Sequence, residues 1–160
     1  MQKHSGFILV FVIVVFLDQL TKIIIVNYIP YLSEIKIIPD FFSLVNVRNP
    51  GGAFGFLANQ SDIVRIVVFI GMAFIAAGVV LWFYKTTPKE FIWLRLAYAM
   101  ILGGAAGNLT DRIRLGYVID FFDVYIKNMH WPAFNIADSA ITISMGIVVY
   151  HALFKNVTKD

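Results

Sequence analysis

The chain has no cysteine, which excludes a thiol nucleophile, a disulfide framework and a cysteine-ligated metal, while leaving the redox compartment open. Histidine is nearly as scarce, with three residues. His4 and His151 lie near the chain ends, and His130 has no spacing to a serine that suggests a relay. A metal site would therefore have to be carboxylate-rich, and neither metal nor cofactor is expected. Charge is sparse too. Charged residues make up 14% of the chain against 59% hydrophobic, which is too apolar for an ordinary soluble fold. The net charge of +3 is small and its basic residues are scattered, so nucleic acid is not an expected partner.

What is present is a set of long apolar runs. They predict an all-α membrane protein, a single domain over 1–160, with four transmembrane helices at about 6–29, 63–84, 92–109 and 136–154. The first run follows Lys3 and His4 as a signal peptide would, but no small-residue cleavage site follows and the apolar character continues past Asp18, so we read an uncleaved helix. Between the first two helices, IKIIPDFFSLVNVRNPGGAFGFL mixes short β-branched and aromatic runs with turn residues. It predicts a small extracytoplasmic antiparallel β-region over about 35–57, with strands near Ile35–Ile38, Phe42–Arg48 and Ala53–Leu57. Short basic segments carry Lys3, Lys85, Lys89, Arg95, Lys155 and Lys159. Such loops face the cytoplasm, so both termini are expected inside and the two long connections outside.

The polar residues at the margins of the apolar runs are the candidates for chemistry, because a carboxylate beside hydrocarbon is costly. Asp18 and Lys22 stand at i,i+4 in the favourable order, acid first, either as a self-neutralising pair facing the bundle interior or as a brace for the active-site end of the helix. Gly103 and Gly107 form a small-xxx-small face for close helix packing. Asn108, Asp111 and Arg112 follow at i, i+3 and i+4, with Asp111 and Arg112 readable as an ion pair that holds the loop. Asp120 is flanked by Val118, Ile119, Phe121 and Phe122. Asp138 opens the fourth helix, where an N-terminal acid has a stabilising role of its own. The segment NPGGAFG after Asn49 concentrates backbone freedom at Gly51 and Gly52; it is either a plain turn or a loop lying along an extended peptide.

Asp120 and Asp138 on one membrane face suggest a dyad. Two ionised carboxylates about 4 Å apart at an effective dielectric near 20 repel by about 4 kcal/mol, so one keeps its proton near neutral pH. A dyad sharing one proton can deprotonate a water and protonate a carbonyl oxygen together, the aspartic-protease route to amide hydrolysis. A proton or ion pathway is the competing class, but it predicts acids spread through the membrane depth, and here only Asp18 lies deeper.

Asp18 with Lys22, Asn49 within RNPGGAFG, GGAAGNLTDR at 103–112, GYVIDFFD at 116–123 and PAFNIADSAIT at 132–142 together resemble the lipoprotein signal peptidases (signal peptidase II) over nearly the whole chain. Thr110 stands where that family more often has a bulky apolar residue. The resemblance implies a four-helix intramembrane aspartic endopeptidase of the bacterial cytoplasmic (inner) membrane, with its active site near the outer face. Its substrates are prolipoproteins cut just before a cysteine already carrying a diacylglyceryl group, and cyclic peptide antibiotics inhibit it. Asp120 and Asp138 match the catalytic pair. Asn108, Arg112 and Asn135 match polar residues lining the site, and Asp18, Lys22 and Asn49 match others of the recurrent set; Gly52 and Asp111 are further candidates for substrate contact or support. Membrane lipids are expected partners, and the enzyme is expected to be a monomer.

Overall fold

A computed structural model of the chain describes residues 4–52, 56–57 and 59–155. It contains four helices long and apolar enough to cross a membrane: α1 Ser5–Tyr28, α2 Asp62–Thr86, α3 Ile92–Leu115 and α4 Ile136–Phe154. Even α4, at 19 residues, spans about 28 Å at 1.5 Å per residue, close to the roughly 30 Å of bilayer hydrocarbon. Gly6, Gly103 and Gly107 show how α1 and α3 run. Their added Cβ atoms would meet Leu96, Val14 and Asp18, so the two helices are parallel and start at the same end of the bundle.

Glycine decides how near α3 comes to its neighbours. A Cβ at Gly103 would lie 2.9 Å from the Val14 Cβ, one at Gly107 2.5 Å from an Asp18 carboxylate oxygen, and one at Gly104 2.5 Å from the Ala137 carbonyl. The small-residue face read from the sequence thus serves two partners, with Gly103 and Gly107 against α1 and Gly104 against α4. These glycines do not end the helix. α3 runs through Asn108, Asp111 and Arg112 to Leu115, past the expected boundary at 109, and stops at Gly116 in the left-handed region with φ 80°. That conformation is the ordinary glycine stop.

At the other end of α1, a four-stranded antiparallel sheet covers the bundle in the order β1 (Glu34–Ile38), β2 (Phe42–Asn49), β3 (Val118–Ile126) and β4 (Met129–His130). The first two strands match expectation. The strand expected at Ala53–Leu57 falls mainly outside the described residues, and Phe56 and Leu57 lie in a turn. The third strand comes instead from Val118–Ile126, in a stretch read as a connection, and pairs Val47 with Asp120 and Asn49 with Val118. Asn46, beside a register shift in β2, is buried and donates to the Ile29 carbonyl at 2.7 Å. This bond ties the sheet to the end of α1. Ile25 of α1 and Ile29 just after it pack with Ile119 and Phe121 of β3, which locks β3 over the bundle and sets Asp120 at its edge.

Candidate active site

A cavity of about 690 Å³ opens where the sheet meets α3 and α4. Asn49 and Gly52, Asn108 and Arg112, Asp120, and Asp138 line it, each group from a different element or loop. Its remaining wall is largely apolar, with Trp131, Pro132, Phe134, Ile141 and Ile143. Asp123 is absent from the lining. It stands three residues beyond Asp120 on a strand whose side chains alternate, and instead meets His130 Nδ1 at 2.9 Å.

Three asparagines hold the two aspartates. Asn135 donates from Nδ2 to Asp120 Oδ1 at 2.7 Å, and Asn49 donates to Asp120 Oδ2 at 3.0 Å. The Gly51 N–H donates to Asn49 Oδ1 at 3.0 Å, which turns the amide so that its NH₂ faces Asp120. Asn108 donates to Asp138 Oδ1 at 2.8 Å and receives Asn135 Nδ2 on its own oxygen at 3.1 Å. Asn135 is also the N-cap of α4: its side chain accepts the Asp138 N–H, while the Asp138 carboxylate accepts the Asn135 N–H. This reciprocal capping box satisfies two helix-terminal donors. The first-turn acid and the cavity-lining acid are one residue, so the two readings of Asp138 are compatible.

Burial pushes the Asp120 carboxyl up to about 7, and the charge of Asp138 adds to the shift against the opposing hydrogen bonds from Asn49 and Asn135. Near neutral pH this carboxyl is therefore a proton carrier. Such a group beside a second acid in a cavity is where acid–base chemistry is found.

Behind the cavity lies a second polar cluster. Lys22 Nζ sits 2.8 Å from both Asp18 Oδ2 and Asp111 Oδ2 and donates to Asn108 Oδ1 at 2.9 Å. The other oxygens are also taken. Asp18 Oδ1 accepts the Ala137 N–H at 3.0 Å and Asp111 Oδ1 accepts Gln19 Nε2 at 2.9 Å, while Asp111 Oδ2 accepts the Ile119 N–H at 3.2 Å in addition to Lys22. Asp18 and Lys22 thus pair as their spacing suggests, and they join α1 to α3 and α4. The expected Asp111–Arg112 ion pair does not form. Asp111 turns to Lys22, while Arg112 donates to the Gly51 carbonyl at 2.9 Å and stacks on the Phe69 ring at 4.2 Å. Residues i and i+1 on a helix point to different faces, so they are poorly placed to pair.

Gln19 was not singled out as a site residue. Its Nε2 lies 2.9 Å from Asp111 Oδ1, 3.2 Å from Asp18 Oδ2 and 3.2 Å from the Gly107 carbonyl, which makes it a hinge pin between α1 and α3. The available signal was its place among Asp18, Thr21 and Lys22, a polar group within an apolar helix.

Known proteins resemble this chain along nearly its full length. The family model described as signal peptidase (SPase) II matches residues 10–154. The lipoprotein signal peptidase of Desulforapulum autotrophicum is 44% identical over 149 residues, covering 93% of this chain and 92% of that protein. That of Syntrophotalea carbinolica is also 44% identical, covering 89% and 87%. A bacterial membrane enzyme solved by the in meso method at 2.3 Å superposes with a TM-score of 0.81 at 33% identity, covering 93% of this chain and 87% of that one. With a matching model over most of its length and relatives this similar end to end, the chain belongs to the signal peptidase II family.

Proposed function

We propose that the protein is an aspartic endopeptidase that removes signal peptides from prolipoproteins, with Asp120 and Asp138 sharing one proton as its catalytic pair. The observation that carries this reading is the convergence of two carboxylates, from β3 and α4, on one largely apolar cavity. Asp138 accepts the proton of a water positioned between the acids. Asp120, protonated near neutral pH, donates to the scissile carbonyl oxygen as the water oxygen bonds to its carbon. In the second half of the reaction Asp138 returns its proton to the amide nitrogen, Asp120 takes one from a hydroxyl of the gem-diol, and the C–N bond breaks to leave acid and amine with the shared-proton state restored.

The other polar groups position the peptide or the acids. Asn49, Asn108 and Asn135 hold the carboxylates through neutral donors, and Arg112, anchored on Gly51, ties α3 to the loop after β2. Gly52 leaves the backbone beside the cavity open for an extended segment; a Cβ there would lie 3.2 Å from the Phe69 ring. The apolar wall suits the diacylglyceryl chains of a modified cysteine, and cyclic peptide inhibitors would occupy the same space. Asp18, Lys22 and Asp111 support the site from behind. We read the enzyme as a monomer of the bacterial inner membrane with both termini cytoplasmic and the cavity at the outer face.

Two experiments test this. Asp120→Asn and Asp138→Asn should each lower cleavage of a diacylglyceryl-modified prolipoprotein peptide by about 10³-fold or more with the thermal transition retained, and substantial turnover by either folded variant would remove that residue from the chemistry. Cysteines at Ser5 and Thr86 should react with an impermeant reagent only from the cytoplasmic side, and those at Asn59 and Asn128 only from outside; the reverse pattern would invert the topology.

A further inference from the structure

A second cavity, of about 450 Å³, lies at the end of the bundle away from the sheet. It is lined by His4, Lys85, Lys89 and Arg95 against one acid, Glu90. Arg95 is fixed there: its Nη1 donates to the Tyr84 and Thr87 carbonyls at 3.1 and 2.8 Å, and its guanidinium stacks on the Tyr84 ring at 4.1 Å. His4 closes the opposite side through a 2.7 Å hydrogen bond between Nδ1 and the Tyr84 hydroxyl. None of these residues takes part in the chemistry above.

The helix ends differ between the two faces of the bundle. α2 and α4 begin on the sheet side, capped by Ser61 and Asn135 and with Asp62 and Asp138 in their first turns. Among the described residues, α1 and α3 begin beside the basic cavity with no side-chain cap from their N-cap residues, His4 and Phe91, and with no first-turn acid. α2 and α4 end at this same face, so the positive and negative ends of the four helix dipoles offset one another there, and it is the basic side chains that favour an anion. Around the mouth, Trp82, Phe83, Ile92 and Trp93 are exposed, continuing the apolar surface that the helices present to lipid. Tryptophan is enriched at this level of membrane proteins.

We infer that this cavity binds the phosphate of an anionic phospholipid, with the acyl chains lying against the exposed Trp82 and Trp93. The cations select the phosphate, and the apolar rim selects a lipid over a free ion. Glu90 works against binding and limits the affinity.

The test uses the full chain purified in mild detergent, with native mass spectrometry counting retained phosphatidylglycerol against phosphatidylcholine of the same chain length. Wild type should retain phosphatidylglycerol preferentially. Lys85→Gln with Lys89→Gln should weaken that retention about tenfold, Glu90→Gln should strengthen it, and peptide cleavage in detergent should be unchanged in both. Equal retention of the two lipids would overturn the site, as would undiminished retention by the double variant with an unaltered thermal transition. Displacement of the lipid by millimolar inorganic phosphate would overturn its assignment as a lipid site. Should the double variant not fold, the Glu90→Gln arm decides alone, and no gain there would overturn the proposal.

Discussion

Two pairs of carboxylates occupy the sheet end of this bundle, and they are held in opposite ways. Asp18 and Asp111 share the ammonium of Lys22; Asp18 is 0% and Lys22 2% exposed, so one buried cation faces both acids, and neutral donors from Ala137, Ile119 and Gln19 complete their hydrogen bonding. Asp120 and Asp138 are held by the amides of Asn49, Asn108 and Asn135, and among the described residues neither forms a salt bridge. A cation in direct contact would keep its partner ionised. A neutral donor fixes the position of a carboxylate with less constraint on its proton, which suits the acid–base role proposed for this pair. Asn108 joins the two sets, since its oxygen receives Lys22 and its NH₂ binds Asp138.

The contrast can be broken most severely at Lys22. Lys22→Met leaves Asp18 and Asp111 buried without their cation, which should cost about 3–5 kcal/mol of stability. The loss should appear as a lowered thermal transition in detergent, with cleavage falling in step with the folded fraction; an unchanged transition would show that the two acids are not paired as described. A smaller effect is expected at Gly107. In Gly107→Ala the new Cβ meets Asp18 at 2.5 Å, and overpacking of this kind costs about 1–3 kcal/mol. The pH profile of the folded remainder should stay in place, because the strain falls on the lysine-held pair. A displaced profile would mean that the two clusters are energetically one.

The smallest effect sharpens the other side of the comparison. If Asp120 must carry a proton, wild-type kcat/KM should fall as pH rises through about 7. The hydrogen bond from Asn49 favours the charged form of Asp120. Asn49→Ala should therefore raise the Asp120 pKa and move the falling limb to higher pH, by a unit or less, a rough bound from the strength of one such bond. A limb that stays put, or moves down, would detach Asn49 from the proton chemistry whatever its effect on the overall rate. Linkage gives a second readout. Between the ordinary aspartate range and about 7 the folded protein binds a proton at Asp120 that the unfolded chain has released, so stability should decline as pH rises through that window.

Much of this arrangement was legible because it is local. Four apolar runs gave the spans, the i,i+4 spacing gave Asp18 with Lys22, and Asn135 three residues before Asp138 carries the capping pattern of α4. What escaped the sequence involves partners far along the chain. Val118–Ile126 is buried on both faces for most of its length, so VIDFFDVYI lacks the alternation that marks a half-exposed strand. The end of α3 falls beyond the expected boundary because Asn108 and Asp111 look like a polar terminus until their partners on α1, β3 and α4 are known. Arg112 pairs with a loop carbonyl 61 residues away.

The sequence by itself determined that this chain lives in a membrane, since hydrocarbon burial depends on composition and run length. It also determined which side chains were too polar to be there without a reason. Only the tertiary structure decided which acids share a lysine and which share amides. That choice depends on how closely α1 and α4 approach α3, through Gly103, Gly104 and Gly107, and on the pairing of β2 with β3. A carboxylate's protonation follows from the groups within a few ångströms of it, and those are set by packing.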